Sequence, residues 1–180
     1  MSDLPVLQPG VISIHAIAKV HLPRLELLLR GLAGCSISAP WVPLPGHLLH
    51  TLGDVACNDQ LVAGEFQFDV ESHSINEIAS ALASVQTLWF EVAQPPTLQD
   101  LGQRFCFTPT LGMFHSQLDQ AGNQVFGENL LLAAINGAEA LNSQLLRQRL
   151  AQLMGLEWDA QLEPLRKAAL DARYLTEWAS

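Results

Sequence analysis

The order in which strand-like and helix-like segments follow one another in residues 10–96 limits the possible folds more than any other sequence feature. Residues 11–17 are rich in Ile and Val, and residues 61–72 alternate apolar with polar side chains, so both segments are predicted strands. Another strand is predicted at 86–93. Two prolines allow residues 35–43 only a short or edge strand.

Two helices are predicted between these strands. In the first, Pro23 suits the opening turn, and leucines at helical spacing would face a sheet. The second covers residues 75–85, because Ser74 and Glu77 have the spacing of a capping box. The resulting order is strand, helix, strand, strand, helix, strand. This order is typical of an α+β fold, the ferredoxin-like split βαβ (βαββαβ) sandwich, with both helices on one face of an antiparallel sheet.

The second half of the chain continues this unit. Residues 102–128 are predicted to form a β-hairpin, which would either extend the sheet or cover its open face. C-terminal helices are predicted within residues 138–173, with Pro164 as a break or kink. Residues 1–9 are interpreted as an N-terminal extension, and residues 10–180 as a single α+β domain.

Composition excludes several classes of partner. Hydrophobic residues make up 49% of the 180, which suits one folded core. The net charge is -9 and the nine Lys and Arg residues are scattered, so neither nucleic acid nor an acidic membrane surface is an expected partner. Three widely spaced cysteines and the absence of a signal-peptide pattern or a long apolar run predict a cytoplasmic protein.

A series of motifs resembles a known family. It consists of GVISIHA (10–16) with His15, Trp41 and Pro43 after the first helix, LWFEVAQPP (88–96), GQRFCFTPTLGMF (102–114) and GNQVFGENLL (122–131). Together these segments resemble the actinobacterial domain of unknown function family 3145. The resemblance implies a cytoplasmic protein with no established activity and a link to genes of fatty-acid synthesis. The first helix departs from the family pattern, since Arg24 and Leu27 stand where a His and a Trp are expected.

Seven residues are candidates for binding a ligand: His15, Trp41, Trp89, Glu91, Arg104, Phe114 and Glu128. His15 lies in an apolar strand and is either a ligand or base at the strand end or a buried, hydrogen-bonded histidine. Arg104 either forms an ion pair with Glu91 or Glu128 or holds a carboxylate or phosphate of a ligand. The aromatic residues either pack in the core or line a groove.

Motifs of known chemistry are absent from the sequence, including a nucleotide-binding loop and a serine-hydrolase elbow. Cys106 would need a nearby base to act as a nucleophile, and His115 is nine strand positions away unless the chain turns back. Two histidines, an aspartate and a cysteine in the 46–60 connection (His47, His50, Asp54 and Cys57) match no zinc pattern. No metal or cofactor is therefore predicted.

The leading hypothesis is a non-catalytic protein that acts through binding. Its partner would be another protein, its own copy or a small anionic metabolite such as an acyl thioester. One alternative is a small hydrolase or transferase that uses His15 with Glu91, Arg104 or Cys106. Another is a structural subunit of a larger complex, docked through its C-terminal helices.

Overall fold

The computed structural model of the chain describes residues 9–32, 36–48, 52, 60–69, 74–85, 87–136 and 143–178. The strands are β1 Gly10–Ala18, β2 Ser36–Pro43, β3 Leu61–Phe68, β4 Leu88–Gln94, β5 Gly102–Thr108, β6 Gly112–Leu118 and β7 Gln124–Val125. The helices are α1 Leu22–Gly31, α2 Ile75–Ala83, α3 Glu128–Asn136, α4 Ser143–Leu153 and α5 Leu156–Trp178, and a 3-10 turn at Lys19–His21 leads into α1.

The strands form one open sheet with the order β2-β3-β1-β4-β5-β6-β7. Every neighbouring pair is antiparallel. The proline-containing strand β2 lies at one edge, where a strand tolerates proline because it pairs on one side only. The segment 102–128 extends the sheet, and it supplies three strands where the sequence predicted two. The fold is therefore a mixed α+β fold with a seven-stranded sheet.

One face of the sheet is covered by α1 and α2. Leu25 and Leu29 of α1 and Ile78 and Leu82 of α2 are at most 4% exposed, and they share one hydrophobic cluster with Phe90 and other strand residues. The helical spacing of these leucines and isoleucines produces this burial, because residues three and four apart lie on the same side of a helix. This two-helix face leaves the opposite face of the sheet to be covered by another element.

Helix α5 covers that opposite face. Leu162 and Leu165 are at most 1% exposed and pack in a second cluster with Trp89, Cys106 and Phe114 of the sheet. The indole N–H of Trp158 also donates to the carbonyl of Gly112 at 2.9 Å, which fixes the start of α5 over the β5–β6 turn. The helix therefore forms a third layer, and the sheet is buried between α1 and α2 on one side and α5 on the other.

Strand β1 contains a bulge that decides where His15 lies. Relative to Gly64 and Val62 of β3, the strand has one extra residue between Ile14 and Ile17. Ile14 and Ile17 both belong to the cluster under α1 and α2. His15 and the residue after it therefore both face α5, an orientation that regular alternation does not allow for neighbouring residues.

Gly155 permits the chain to pass from α4 into α5 close to the sheet. Its φ of 67° lies in the left-handed region, and a Cβ at this position would lie 2.4 Å from the ring of Phe114. Only glycine combines this backbone conformation with so close an approach. Helix α4 accordingly ends at Leu153, two residues before this glycine.

Helices α3 and α4 differ from the others in burial. None of their described residues is buried. Leu130 and Ile135 of α3 are 57% and 50% exposed. These helices contact each other, and α4 contacts α5. Their apolar residues thus lie largely at the surface of the described structure.

The structure differs from the local predictions at several points. Pro164, predicted as a break or kink, lies inside α5 and does not break it, because burial of the neighbouring leucines outweighs the single lost backbone bond. A short strand was predicted near 48–51; Leu48 is helical and its carbonyl accepts from the N–H of Leu52, while residues 49–51 lie outside the described residues. The side chain of Ser74 makes no capping hydrogen bond, although its backbone carbonyl accepts from the N–H of Glu77. Helix α3 was not predicted as a separate helix.

Candidate ligand-binding groove beside helix α5

Glu91 is the centre of a polar cluster between the sheet and α5. Its Oε1 accepts a hydrogen bond from Nε of Arg104 at 2.7 Å, and its Oε2 accepts one from Nη2 of Arg166 at 2.8 Å. Nε2 of His15 lies 3.4 Å from the same Oε2. Three elements therefore converge on one carboxylate, with β1, β5 and α5 each contributing one nitrogen donor.

Asp159 completes the cluster from the first turn of α5. Its Oδ1 accepts from Nη2 of Arg104 at 2.7 Å and from Nη2 of Arg166 at 3.0 Å. Two guanidinium groups thus alternate with two carboxylates. Charge-assisted hydrogen bonds of this kind are stronger than neutral ones, so the cluster fixes α5 against β4 and β5.

The cluster determines the charge of its members. Burial alone would raise the pKa of Glu91, but the hydrogen bond with His15 and the positive charge of Arg104 hold that pKa well below its usual range. Burial lowers the pKa of His15, and its hydrogen bond with Glu91 opposes this shift only in part. At neutral pH, Glu91 is therefore ionised, and His15 is uncharged and donates from Nε2.

Cys106 is adjacent to this cluster and is buried. It lies directly opposite Glu91 in the β4–β5 register and is 1% exposed. Burial, aided by the negative charge of Glu91, raises the pKa of its thiol to about 12. His115 faces the other side of the sheet, where its ring stacks on Phe105 at a centroid distance of 4.3 Å. The chain does turn back between Cys106 and His115, yet the two side chains do not pair.

A groove of about 380 Å³ runs between the sheet and α5 beside this cluster. Its sheet side is formed by Ser13, Ile14 and His15 of β1 and Glu65 of β3. Its helix side is formed by Glu163, Arg166, Lys167, Ala169, Leu170 and Arg173. The β1 bulge turns His15 towards this space, and the helical spacing of the α5 residues places them along one side of the helix.

The charges of the groove are almost all paired. Nη1 of Arg173 donates to Oε2 of Glu65 at 3.2 Å. Arg166 is held by the buried cluster and also reaches Glu163 at 3.5 Å. Lys167 differs, because no carboxylate of the described residues lies within ion-pair distance of its ammonium group. Lys167 is therefore an exposed cation of the groove that makes no ion pair with a described residue.

Of the seven predicted site residues, the structure brings together His15, Glu91 and Arg104. The predicted pairing of Arg104 with Glu91 is present, whereas Glu128 is exposed at the start of α3 and is not among the described partners of Arg104. Only His15 lines the groove itself.

The three aromatic candidates lie elsewhere. Trp41 belongs to the opposite face, where its Nε1 donates to Oε1 of Glu26 at 3.1 Å and its ring packs against Phe66. Trp89 and Phe114 are buried in the core under α5. Trp41 therefore does not pack with the other two, and none of the three borders the groove.

Sequence reasoning missed the contribution of α5. Asp159 and Arg166 are seven residues apart, two helical turns, and they flank the buried stripe of Leu162 and Leu165. That spacing was the available signal, since it places both charged groups next to the residues that face the sheet. Nothing in the sequence indicates that the facing strand would offer Glu91 as their partner.

The structure also bears on metals and membranes. Among the described residues, no group of three or more His, Cys, Asp and Glu side chains could hold a metal ion. His50, Asp54 and Cys57 of the 46–60 connection lie outside the described residues. In the described part of the chain, every helix is too short or too polar to span a bilayer.

Comparison with known proteins identifies a family but no activity. A family model described as "Protein of unknown function (DUF3145)" matches residues 11–178. No curated protein and no solved structure matches the chain. The family match agrees with the resemblance expected from the motifs around His15 and Trp41. Since it extends over nearly the whole sequence, the chain belongs to the DUF3145 family of proteins of unknown function.

Proposed function

We propose that this protein is a non-catalytic binding protein that holds a small anionic metabolite in the groove beside α5. The observation that carries this proposal is Lys167, a cation on the wall of a 380 Å³ groove that no described carboxylate neutralises. In a chain of net charge -9, an unpaired cation beside a concave surface favours binding of an anion. The proposal includes a cytoplasmic location in an actinobacterium and a role in acyl metabolism, both supported by the family resemblance.

The state of the nearby groups favours binding over catalysis. Cys106, with a thiol pKa of about 12, is not a nucleophile at neutral pH. The carboxylate of Glu91 accepts hydrogen bonds from two guanidinium groups, and its lowered pKa makes it a weak base. These properties argue against a hydrolase or transferase that uses His15 with Glu91, Arg104 or Cys106.

We also infer that β1 to β4 with α1 and α2 form the ferredoxin-like split βαβ unit. The order β2-β3-β1-β4 and the shared cluster of α1 and α2 support this assignment. In such a unit the two helices occupy one face of the sheet. The groove then belongs to the other face and depends on α5, which is an addition to the unit.

A second candidate function is docking to a protein partner through α3 and α4. It is favoured by the absence of buried residues among the described parts of these helices and by the exposure of Leu130 and Ile135. Light scattering on the purified protein distinguishes self-association from a monomer. If the wild type is a monomer and Leu130→Glu leaves its mass unchanged, the protein does not dock to its own copy.

The test of the main proposal is thermal stabilisation by small anions. Octanoyl-CoA, octanoate, succinate and inorganic phosphate are added separately to the wild type, to Lys167→Ala and to Arg147→Ala. Arg147 is an exposed cation on α4 outside the groove, so its variant matches the change of charge. We expect at least one anion to raise the melting temperature of the wild type and of Arg147→Ala, but not of Lys167→Ala. If no anion stabilises the wild type, the proposal fails.

A further inference from the structure

The charges and the apolar surface of the groove indicate which class of anion it binds. We infer that the ligand is an amphipathic monoanion, with a single negative head group at Lys167 and an apolar body along Leu170 and Ala169. This inference rests on the proposed function and adds the chemical class of the ligand. It follows from the charge balance, the exposed apolar surface and the available hydrogen-bond donor.

The ion pairs of the groove leave one ammonium group without a close carboxylate. Of its three cations, Arg173 is paired with Glu65 and Arg166 is held in the buried cluster, so among the described residues Lys167 alone has no carboxylate within ion-pair distance. A second negative charge on the ligand would have to lie near Glu65 or Glu163. Because like charges repel more strongly at a partly desolvated surface than in water, a dianion is disfavoured.

The apolar side of the groove lies immediately beside the cation. Leu170 is 52% exposed and follows Lys167 by three positions, so the two side chains are neighbours about 5–6 Å apart on the surface of α5. Ala169 continues this apolar surface into the core. A ligand that covers Leu170 removes apolar area from water, which favours binding of a hydrocarbon body. Because Lys167 and Leu170 are so close, the hydrocarbon body of the ligand must begin next to its charged head group.

The sheet side of the groove supplies a neutral donor for the head group. Ser13 lies across the groove from α5, and its hydroxyl can donate to a carboxylate or phosphate oxygen. His15 adds no charge there, because it is neutral and its Nε2 is engaged by Glu91. A head group held by one ammonium and one hydroxyl is compatible with a carboxylate or a singly charged phosphate ester.

Isothermal titration calorimetry with chemically matched probes tests this inference. Octanoate carries one charge and an apolar chain, octanedioate carries a charge at both ends, octanamide carries none, and inorganic phosphate lacks the chain. We expect octanoate to bind at least about tenfold more tightly than each of the other three, a ratio that calorimetry resolves readily. Lys167→Ala should weaken octanoate binding by about tenfold or more, Lys167→Arg should retain it, and Leu170→Ser should weaken it severalfold.

The outcomes separate the two levels of the proposal. If phosphate or octanedioate binds as tightly as octanoate, the amphipathic monoanion is refuted while anion binding in the groove stands. If Lys167→Ala binds octanoate as the wild type does, the placement of the head group is refuted. If no anion binds, both proposals fall. Arg147→Ala should bind as the wild type does, and all variants should melt as cooperatively as the wild type, since the substituted residues are exposed.

Discussion

Replacing Glu91 by Gln should destabilise the protein more than any other single change of one carboxylate to its amide. Glutamine keeps the shape of the side chain but removes the negative charge that faces Arg104 and Arg166. The two arginine side chains are only 15% and 25% exposed, so their charges stay largely desolvated in the variant. Asp159 is then the one carboxylate that both arginines still share. Breaking a fully buried ion pair costs about 3–5 kcal/mol. Because this cluster is partly exposed and Asp159 remains, we expect a loss of about 2–4 kcal/mol.

The stability lost in Glu91→Gln should become smaller as the pH falls. The pKa of Glu91 in the folded protein lies below its value in the unfolded chain, which is about 4.3. Its contribution to stability is therefore complete above that value and decreases as the pH falls towards the folded-state pKa. In this acidic range one such carboxyl gives a slope of up to about 1.4 kcal/mol per pH unit. Glu91→Gln lacks this slope, so the difference between the two proteins should narrow below about pH 4.

Urea unfolding followed by tryptophan fluorescence measures this difference, because Trp89 lies in the core under α5 and Trp158 of α5 packs against that core. Glu77→Gln is the matched control, since Glu77 is exposed on α2 and its replacement should change the free energy of unfolding by less than about 0.5 kcal/mol. If Glu91→Gln were equally mild, or if it kept the acid slope of the wild type, the reasoning from the charged cluster would be refuted.

Three other predictions concern packing and reactivity. Gly155→Ala should lower the free energy of unfolding by about 1–3 kcal/mol more than Gly122→Ala does. Both glycines have a positive φ, but only at Gly155 would the new Cβ contact an aromatic ring. Equal losses in urea unfolding would contradict this close approach. Leu162→Ala should lower the free energy of unfolding by about 2–5 kcal/mol, and exposed Leu130→Ala should lower it by less than about 1 kcal/mol. A larger loss for Leu130→Ala than for Leu162→Ala would mean that α3, and not α5, packs on the core. In the folded protein at about pH 8, Cys106 should resist alkylation by iodoacetamide, and it should react only after denaturation. Peptide mapping measures the extent of modification, and rapid modification of the folded protein would contradict the raised thiol pKa.

The parts of the fold that could be predicted from sequence are those set by local spacing. The Ile and Val content of β1 and the leucine spacing of α1 are properties of neighbouring residues, so they predicted both elements closely. The same holds for the ion pair of Arg104 with Glu91, which joins adjacent antiparallel strands. Such pairs follow from the order and register of neighbouring strands.

The remainder depends on contacts between distant residues. Arg166 is 75 residues from Glu91 in sequence, and no local pattern indicates that α5 would return to this face of the sheet. The orientation of His15 depends on a bulge, which adds one residue without a turn signal in the sequence. Pro164 would end an isolated helix, but α5 is stabilised by burial against the sheet, so local propensity gave the wrong boundary.

The position of α5 at the end of the described chain has a consequence for synthesis on the ribosome. The strands that form the sheet are made first, and sixty residues separate the end of β6 at Leu118 from the end of α5 at Trp178. At about 5–20 residues per second, their translation takes roughly 3–12 s. Through that time α5 does not yet cover the side of the sheet that holds Trp89 and Cys106. The nascent chain therefore exposes an apolar surface that suits chaperones, and messages truncated before residue 156 should yield aggregated product.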